Sequence, residues 1–490
     1  MFLRIIKYLC VYALTYFNRF YNDLQDTRKG WGMEKTVKKR IGNDLTDERY
    51  IKTLIVFSVP ILFSNIIQIL YTTIDLIILG QSSGSVGNVG ISAGGELVVL
   101  ITRIAASFAT AGQIYLSQLA GAQDAGKIKK AIGSFWTGAA IFSVITAAVT
   151  IIVAKPFLAM INTPSEAFSE AAVYMAITAL GIPFIFMYNA ASGTLHSMGQ
   201  SRAPLLFVTI AGIVNIFLDL LLINVFHMGA AGAAIATVTG QILSCTASML
   251  YIYWKRELYG FDFRLGSWKM ERETTGILVR IIIPQAGQTM LLHGAQIYCS
   301  SQINIYGLTA SAANSIGTKI NQMGSIFRSA ICSATSAMVG QYLGAKKYES
   351  VKKVVGSALA FTTAFAMVNI TLCLLFPRQI FGIFNSDPAV MDYGIIYMRI
   401  VVIYFIISAV MGPLNSVVLA SGAVKLEFLV GILDGVIFRI GISLLLSRGF
   451  HMGVVGFFWG NSLCIIVPLV LDLWYYFSKR WTKPRLIKGE

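Results

Sequence analysis

Charge is scarce in this chain: 13% of its 490 residues are Asp, Glu, Lys or Arg, 56% are hydrophobic, and mean hydropathy is +0.69. A water-soluble globule of that length needs far more polar surface, so the composition excludes one and demands lipid. Histidine is scarcer still. The four, His196, His227, His293 and His451, are scattered, and without a clustered acid, base or metal set a membrane-embedded enzyme lacks its machinery. The expectation is that the protein is not an enzyme. Six cysteines lie in or beside apolar segments without metal-ligand spacing, which leaves them as small hydrophobes. "GAQDAGKI" (Gly121 to Ile128) opens like a phosphate-binding loop, but Ile128 stands where Ser or Thr would ligate Mg²⁺ and no strand precedes it. No ATPase and no cofactor follow. Short segments of alternating polarity, which a membrane barrel requires, are also missing.

What is there instead is a series of continuous apolar runs long enough for a bilayer core about 30 Å thick. Twelve are read, at about 52–80, 89–118, 128–154, 166–195, 203–226, 229–254, 275–306, 311–341, 352–376, 389–420, 425–447 and 452–477. The fold class is an all-α membrane protein. Fourteen Lys and Arg fall in one set of alternate loops, against Lys155, Arg378 and Arg448 in the other, so both termini are placed in the cytoplasm of a cell-membrane protein. The net charge of +16 is then membrane topology, aided by anionic lipid at the basic tail. A nucleic-acid partner is not expected.

The tetrapeptide "FHMG" occurs at Phe226 to Gly229 and again at Phe450 to Gly453. It is not isolated. "SQLAGAQDAGKIKKAIG" (from Ser117) aligns with "GQYLGAKKYESVKKVVG" (from Gly340), pairing Gln118 with Gln341, Gly121 with Gly344 and Gly133 with Gly356. Pro60 pairs with Pro284, and Tyr174-Met175 with Tyr397-Met398. The chain is two homologous halves of six spans, and the even number makes them parallel repeats with a site between bundles. The expected domains are a tail (1–50), a six-helix lobe (51–256), a linker (257–274), a second six-helix lobe (275–478) and a basic tail (479–490). Residues 1–32 read as a surface helix or as sequence before a start at Met33, the second being favoured. FHMG is the same outer hairpin inherited twice, its His ordering a loop.

An ionisable residue inside a span costs about 2.5–3.5 kcal/mol on insertion scales and is a functional candidate by default. The first half offers Asp75, Glu96, Arg103 and Asp219. Asp75 and Asp219 fall about 7.5 and 9 Å below the outer helix ends at 1.5 Å per residue. Asn215 lies one turn from Asp219, and Thr237 enters the same layer from the next span. Two adjacent carboxylates in low dielectric cannot both stay ionised without a proton or cation, and hard oxygen ligands suit Na⁺. In the second half Lys319, Arg328, Arg399 and Arg439 lie within spans, with Asp434 as the only deep acid. They read as paired or snorkelling residues, or as a basic substrate-cavity wall.

From Lys52 to about Ser478 the chain resembles the multidrug and toxic compound extrusion (MATE) family. The resemblance rests on "TTIDLIILG", "SQLAGAQD", "GTLHSMGQSRAP", "NIFLDLLLI", "GAAGAAIAT" and "VGQYLGAKK", in that order. It implies two six-helix lobes in a V, and efflux of amphipathic, often cationic small molecules in exchange for H⁺ or Na⁺. It also implies, on the pattern of the archaeal and DinF-like branch, a cation site of Asp75, Asn215, Asp219 and Thr237, with Pro60 as a helix-1 hinge. The carboxylates that another bacterial branch carries in helices 7 and 10 are lacking: Cys299 and Ile442 stand opposite Asp75 and Asp219. A flippase of lipid-linked oligosaccharide or peptidoglycan precursor is the alternative with the same architecture. A monomer is expected, with the lipid bilayer and a small-molecule substrate as partners.

Overall fold

The computed structural model describes residues 40–82, 84–160, 163–483 and 486; the expectations for residues 1–32 and for most of the basic tail lie outside them. Twelve long spans follow one another among the described residues. They are α1 (Tyr50–Ser82), α2 (Gly84–Ala122), α3 (Ala125–Met160), α4 (Ser165–Ser197), α5 (Arg202–Asp219), α6 (Gly229–Trp254), α7 (Arg272–Asn304), α8 (Leu308–Gly344), α9 (Tyr348–Leu375), α10 (Pro388–Ala420), α11 (starting at Val424–Gly431) and α12 (Val454–Leu463 with Ile466–Phe477). No strand occurs among the described residues. Among the described residues eleven spans are long and apolar enough to cross a bilayer. The twelfth, α8, has the length but carries Lys319, Asn321, Gln322 and Arg328 along it.

The apolar surface is turned outward as well as inward. On α3, Trp136, Ala139 and Leu158 are buried while Ile145, Val149 and Ile152 are exposed, Ile152 at 73%. That inversion of the soluble-protein rule is what a lipid solvent selects. Many hydroxyls in the spans are satisfied locally, as when Thr146 Oγ1 donates to Phe142 O at 2.8 Å and Thr150 Oγ1 to Thr146 O at 2.7 Å.

The described chain forms two compact units. The first comprises Phe63–Ala105 and Ala125–Met270, with the described residues up to Asn43; the second comprises Asp44–Leu62, Ala106–Asp124 and the chain from Glu271. In the first, α4 packs on α3 and α6, and α5 on α6. The small residues of "GAAGAA" let α6 approach closely, with Ala234 and Ala236 fully buried. In the second, α10 packs on α8, α9 and α12, and α7 packs on α11. The α3–α4–α6 arrangement thus recurs as α9–α10–α12.

The segment after α6 is docked rather than free. Trp136 of α3 sits in a cage of Phe261, Phe263 and Trp268, with ring centroids 5.3, 5.7 and 5.8 Å away. Thr137 Oγ1 donates to Trp268 O at 2.7 Å, and Lys129 Nζ to Asp262 Oδ2 at 2.7 Å. Hydrogen bonds from Lys129 and then Ser267 hold the Asp262 carboxyl well below the usual carboxylate range. This contact is therefore at full strength above the ordinary carboxylate pKa of about 3.9 and is lost only as pH falls below it.

The repeated motifs have physical reasons. In the second unit Gly121 lies against the backbone of Gln341, and Gly344 against that of Gln118, each without room for a Cβ. Gln118 Nε2 donates to Ala420 O at 2.6 Å and Gln341 Oε1 accepts from Leu45 N at 3.0 Å. The FHMG turns are also alike. α5 continues as a π-helix over Leu220–Val225, and α11 ends in one over Leu445–Gly449. Phe226 N donates to Leu221 O and Phe450 N to Leu445 O. His227 (φ 52°) and His451 (φ 56°) then take the left-handed conformation that turns the chain into the next span.

Gly133 and Gly356 occupy equivalent positions, yet a Cβ at Gly133 meets Ser267 O of the docked segment while one at Gly356 meets nothing within 4 Å. Gly133→Ala, Gly121→Ala and Gly344→Ala are each expected to cost about 1–3 kcal/mol. Gly356→Ala is expected to be neutral or stabilising by up to about 1 kcal/mol. Thermal unfolding in detergent micelles checks the contrast.

Candidate functional site

In the first unit α1 and α5 meet closely at Gly212, where a Cβ would lie 3.2 Å from Tyr71 Cδ1 and 3.6 Å from Ile67 Cγ2. That contact sets the register. Asp75 follows Tyr71 by one turn, and Asn215 and Asp219 follow Gly212 by one and two turns, on the faces the contact has turned toward each other. The Asp75 and Asp219 carboxyls come together there. Asp219 is fully buried and Asn215 is 3% exposed.

Five polar atoms in this layer are buried with no hydrogen-bond partner: Asp75 Oδ1, both amide atoms of Asn215 and both carboxylate oxygens of Asp219. Buried polar groups are ordinarily satisfied. No Lys, Arg or His comes within ion-pair distance of either acid among the described residues, and Arg103 is exposed. Such a donor-poor, oxygen-rich layer fits a proton or a small hard cation. Among the described residues no group of three or more His, Cys, Asp or Glu gathers as a metal cluster, so any cation here rests on two carboxylates and neutral oxygens.

α6 closes the layer. A Cβ on Gly240 would lie 3.7 Å from Asn215 Cβ, and Thr237 stands one turn before Gly240 on that face, half-buried; no hydrogen bond ties its hydroxyl to the acids among the described residues. α5 turns into its π-helix at Leu220, directly after Asp219, and such insertions recur at functional sites. The structure adds Tyr174 of α4, which lies beside both acids. Its sequence signal was the Tyr174-Met175 match with Tyr397-Met398 in the second half, which by itself carried no chemistry. The side chain of Glu96 lies outside the described ones.

Pro60 is buried within α1, with no break in the helix. It precedes by two residues the point where α1 passes from the second unit to the first, between Leu62 and Phe63.

The four basic candidates of the second half have different fates. Arg439 is paired: its Nη2 lies 3.0 Å from Asp434 Oδ1, both side chains at least nine-tenths buried. The spacing of five is brought into register because Ile432–Ile440 is a π-helix. Lys319 and Arg399 are exposed. Arg328 has no carboxylate partner among the described residues; its Nε is buried and unbonded, and Tyr404 and Cys332 are its polar neighbours.

Asp434 is not the only deep acid of this half. Glu427 is 1% exposed and Asp472 fully buried. Both stand near helix ends, which by sequence alone reads as hydrated, but α7 and α10 cover them.

The comparisons agree with this architecture. The MatE family model matches residues 60–221 and again 284–462, one match per half, beginning at Pro60 and at Pro284. A probable multidrug resistance protein of Bacillus subtilis, YpnP, is 24% identical over 444 residues, covering 90% of this chain and 98% of the relative. A probable multidrug resistance protein of Thermotoga maritima, NorM, is 25% identical, covering 90% and 95%. Among solved structures, a MATE transporter in the bent conformation superposes with a TM-score of 0.84 at 18% identity, over 92% of this chain and 99% of that one. A MOP superfamily transporter from Pyrococcus furiosus gives 0.83 at 19%, over 92% and 100%. With twelve membrane spans in two equivalent halves and a family match covering most of the chain, the protein belongs to the MatE family of multidrug efflux transporters.

Proposed function

We propose that the chain is a secondary antiporter of the cell membrane, both termini inside, that exports amphipathic cationic or neutral small molecules in exchange for H⁺ or Na⁺ bound at Asp75, Asn215, Asp219 and Thr237. The observation that carries the reading is the layer of five unpartnered buried polar atoms around two adjacent acids. Two carboxylates in that setting repel until something positive joins them, so the layer is built to be loaded. Loading by one monovalent ion in exchange for one monovalent substrate moves no net charge, and the ion gradient then drives export. No prosthetic group is required.

Pro60 supports the mechanical half of the reading. It removes one backbone hydrogen bond from α1 fifteen residues before Asp75, so a change of charge at Asp75 can be expressed as a bend nearer the other end of the same helix. Arg328 supports a second reading of the substrate. A half-buried guanidinium without a carboxylate partner among the described residues suits a zwitterionic or anionic group on the cargo, and the lipid-linked precursor flippase shares that chemistry.

Purified protein in proteoliposomes is expected to move a dye cation under an imposed pH or Na⁺ gradient. Asp75→Asn and Asp219→Asn should each bring gradient-driven movement close to background; equal rates in all three proteins would remove the coupling site. Pro60→Ala should fold with an unchanged thermal midpoint yet transport several-fold more slowly, and wild-type rates would discard the hinge. Arg328→Gln should slow zwitterionic substrates while sparing monovalent cations, measured as a ratio of rates on the same vesicles.

A further inference from the structure

The second unit contains a buried acid pair of its own, away from the layer around Asp75. Glu427 is in the first turn of α11, and Asp472 is five residues before the end of α12 at Phe477. At 1.5 Å per residue both lie within about 8 Å of the same end of these antiparallel spans.

Glycines bring the amides to them. A Cβ on Gly431, one turn after Glu427, would meet Gln288 Cγ at 2.8 Å, and one on Gly287 would meet Phe428 at 2.9 Å. The α7–α11 seam therefore closes until Gln288 Nε2 donates to Glu427 Oε2 at 3.1 Å. From α10, Asn415 Nδ2 donates to Glu427 Oε1 at 2.8 Å. Asn415 and Glu427 both lie beside Asp472. Both oxygens of Asp472 are buried without a partner.

Among the described residues no Lys, Arg or His lies within ion-pair distance of either acid. Lys425 of α11 and Lys479 and Arg480 beyond α12 are exposed. α7 and α10 present the neutral Gln288 and Asn415, and the Tyr475 hydroxyl of α12 is paired with that of Ser421 at 2.9 Å. Glu427 is held by two donors while both oxygens of Asp472 lack one, so a proton taken up by the pair gives Asp472 the hydrogen bond it lacks.

We propose that Glu427 and Asp472 form a second proton-binding site, in which the pair holds one proton that Asp472 carries and Asn415 bridges to Glu427. The site has no counterpart in the first half, where Pro204 and Ser248 stand at the equivalent positions. Pro284 in α7 and Pro413 in α10 each lie within about a turn of the amides, so both amide-bearing helices can bend there and open the pair to water.

The test uses the full chain carrying Asp75→Asn and Asp219→Asn, so that failure of the antiport reading leaves it intact. Infrared difference spectra across a pH titration of the reconstituted protein should contain a protonated-carboxyl band. That band should be lost on adding Glu427→Gln with Asp472→Asn. Persistence of the band, unchanged in size, in the quadruple variant overturns the proposal. Should that variant fail to fold, carboxyl-¹³C aspartate incorporated into the folded double variant should shift the band. A band unmoved by that labelling, or no band at all, equally overturns it.

Discussion

Two carboxylates brought side by side, with no basic residue to answer them among the described residues, form an arrangement that proteins avoid unless a positive ion comes and goes. The surroundings of Asp75 and Asp219 are organised around that problem. Gly212 brings α1 and α5 together, the alanine-rich face of α6 seals the layer, and among the described residues no donor settles the charge permanently. Asn215 is an oxygen and an amide held in reserve rather than a partner already spent. The antiport proposal follows from this electrostatic incompleteness more than from any single residue.

Duplication supplied the frame and left the chemistry to diverge. Gly121 and Gly344 pack against each other's segments in matched fashion, and both FHMG turns follow a π-ended helix with a left-handed histidine. These features concern only how helices approach and end, and a duplicated gene retains them. Charge is different. Asp75 and Asp219 face Cys299 and Ile442 across the repeat, while Glu427 and Asp472 face Pro204 and Ser248. Each half has lost or gained its acids separately, so the two proposed ion sites are not copies of one ancestor.

Hydropathy and the repeat made the twelve spans legible, because lipid leaves a continuous apolar helix as the only economical backbone and duplication writes every boundary twice. α8 is the span where hydropathy alone falls short, since Lys319, Asn321, Gln322 and Arg328 interrupt its apolar run. The acid layer was legible too, from depth: Asp75, Asn215 and Asp219 fall at one height by counting residues. Tyr174 was not, because a tyrosine in an apolar helix is common and only the α4 orientation brings it to the acids.

By itself, then, the sequence determined solvent, span number, internal duplication and the height of each charge, since all are properties of one helix or of composition. The tertiary structure decided which charges are satisfied. Arg439 and Asp434 meet because a π-helix shifts their register by one residue, whereas Arg328 meets no acid among the described residues. Glu427 and Asp472 sit where chain position reads as hydrated, and are buried because the glycine seam of α11 draws α7 over them while α10 covers the other side. Pairing depends on distances between helices, which no periodicity along a single chain encodes.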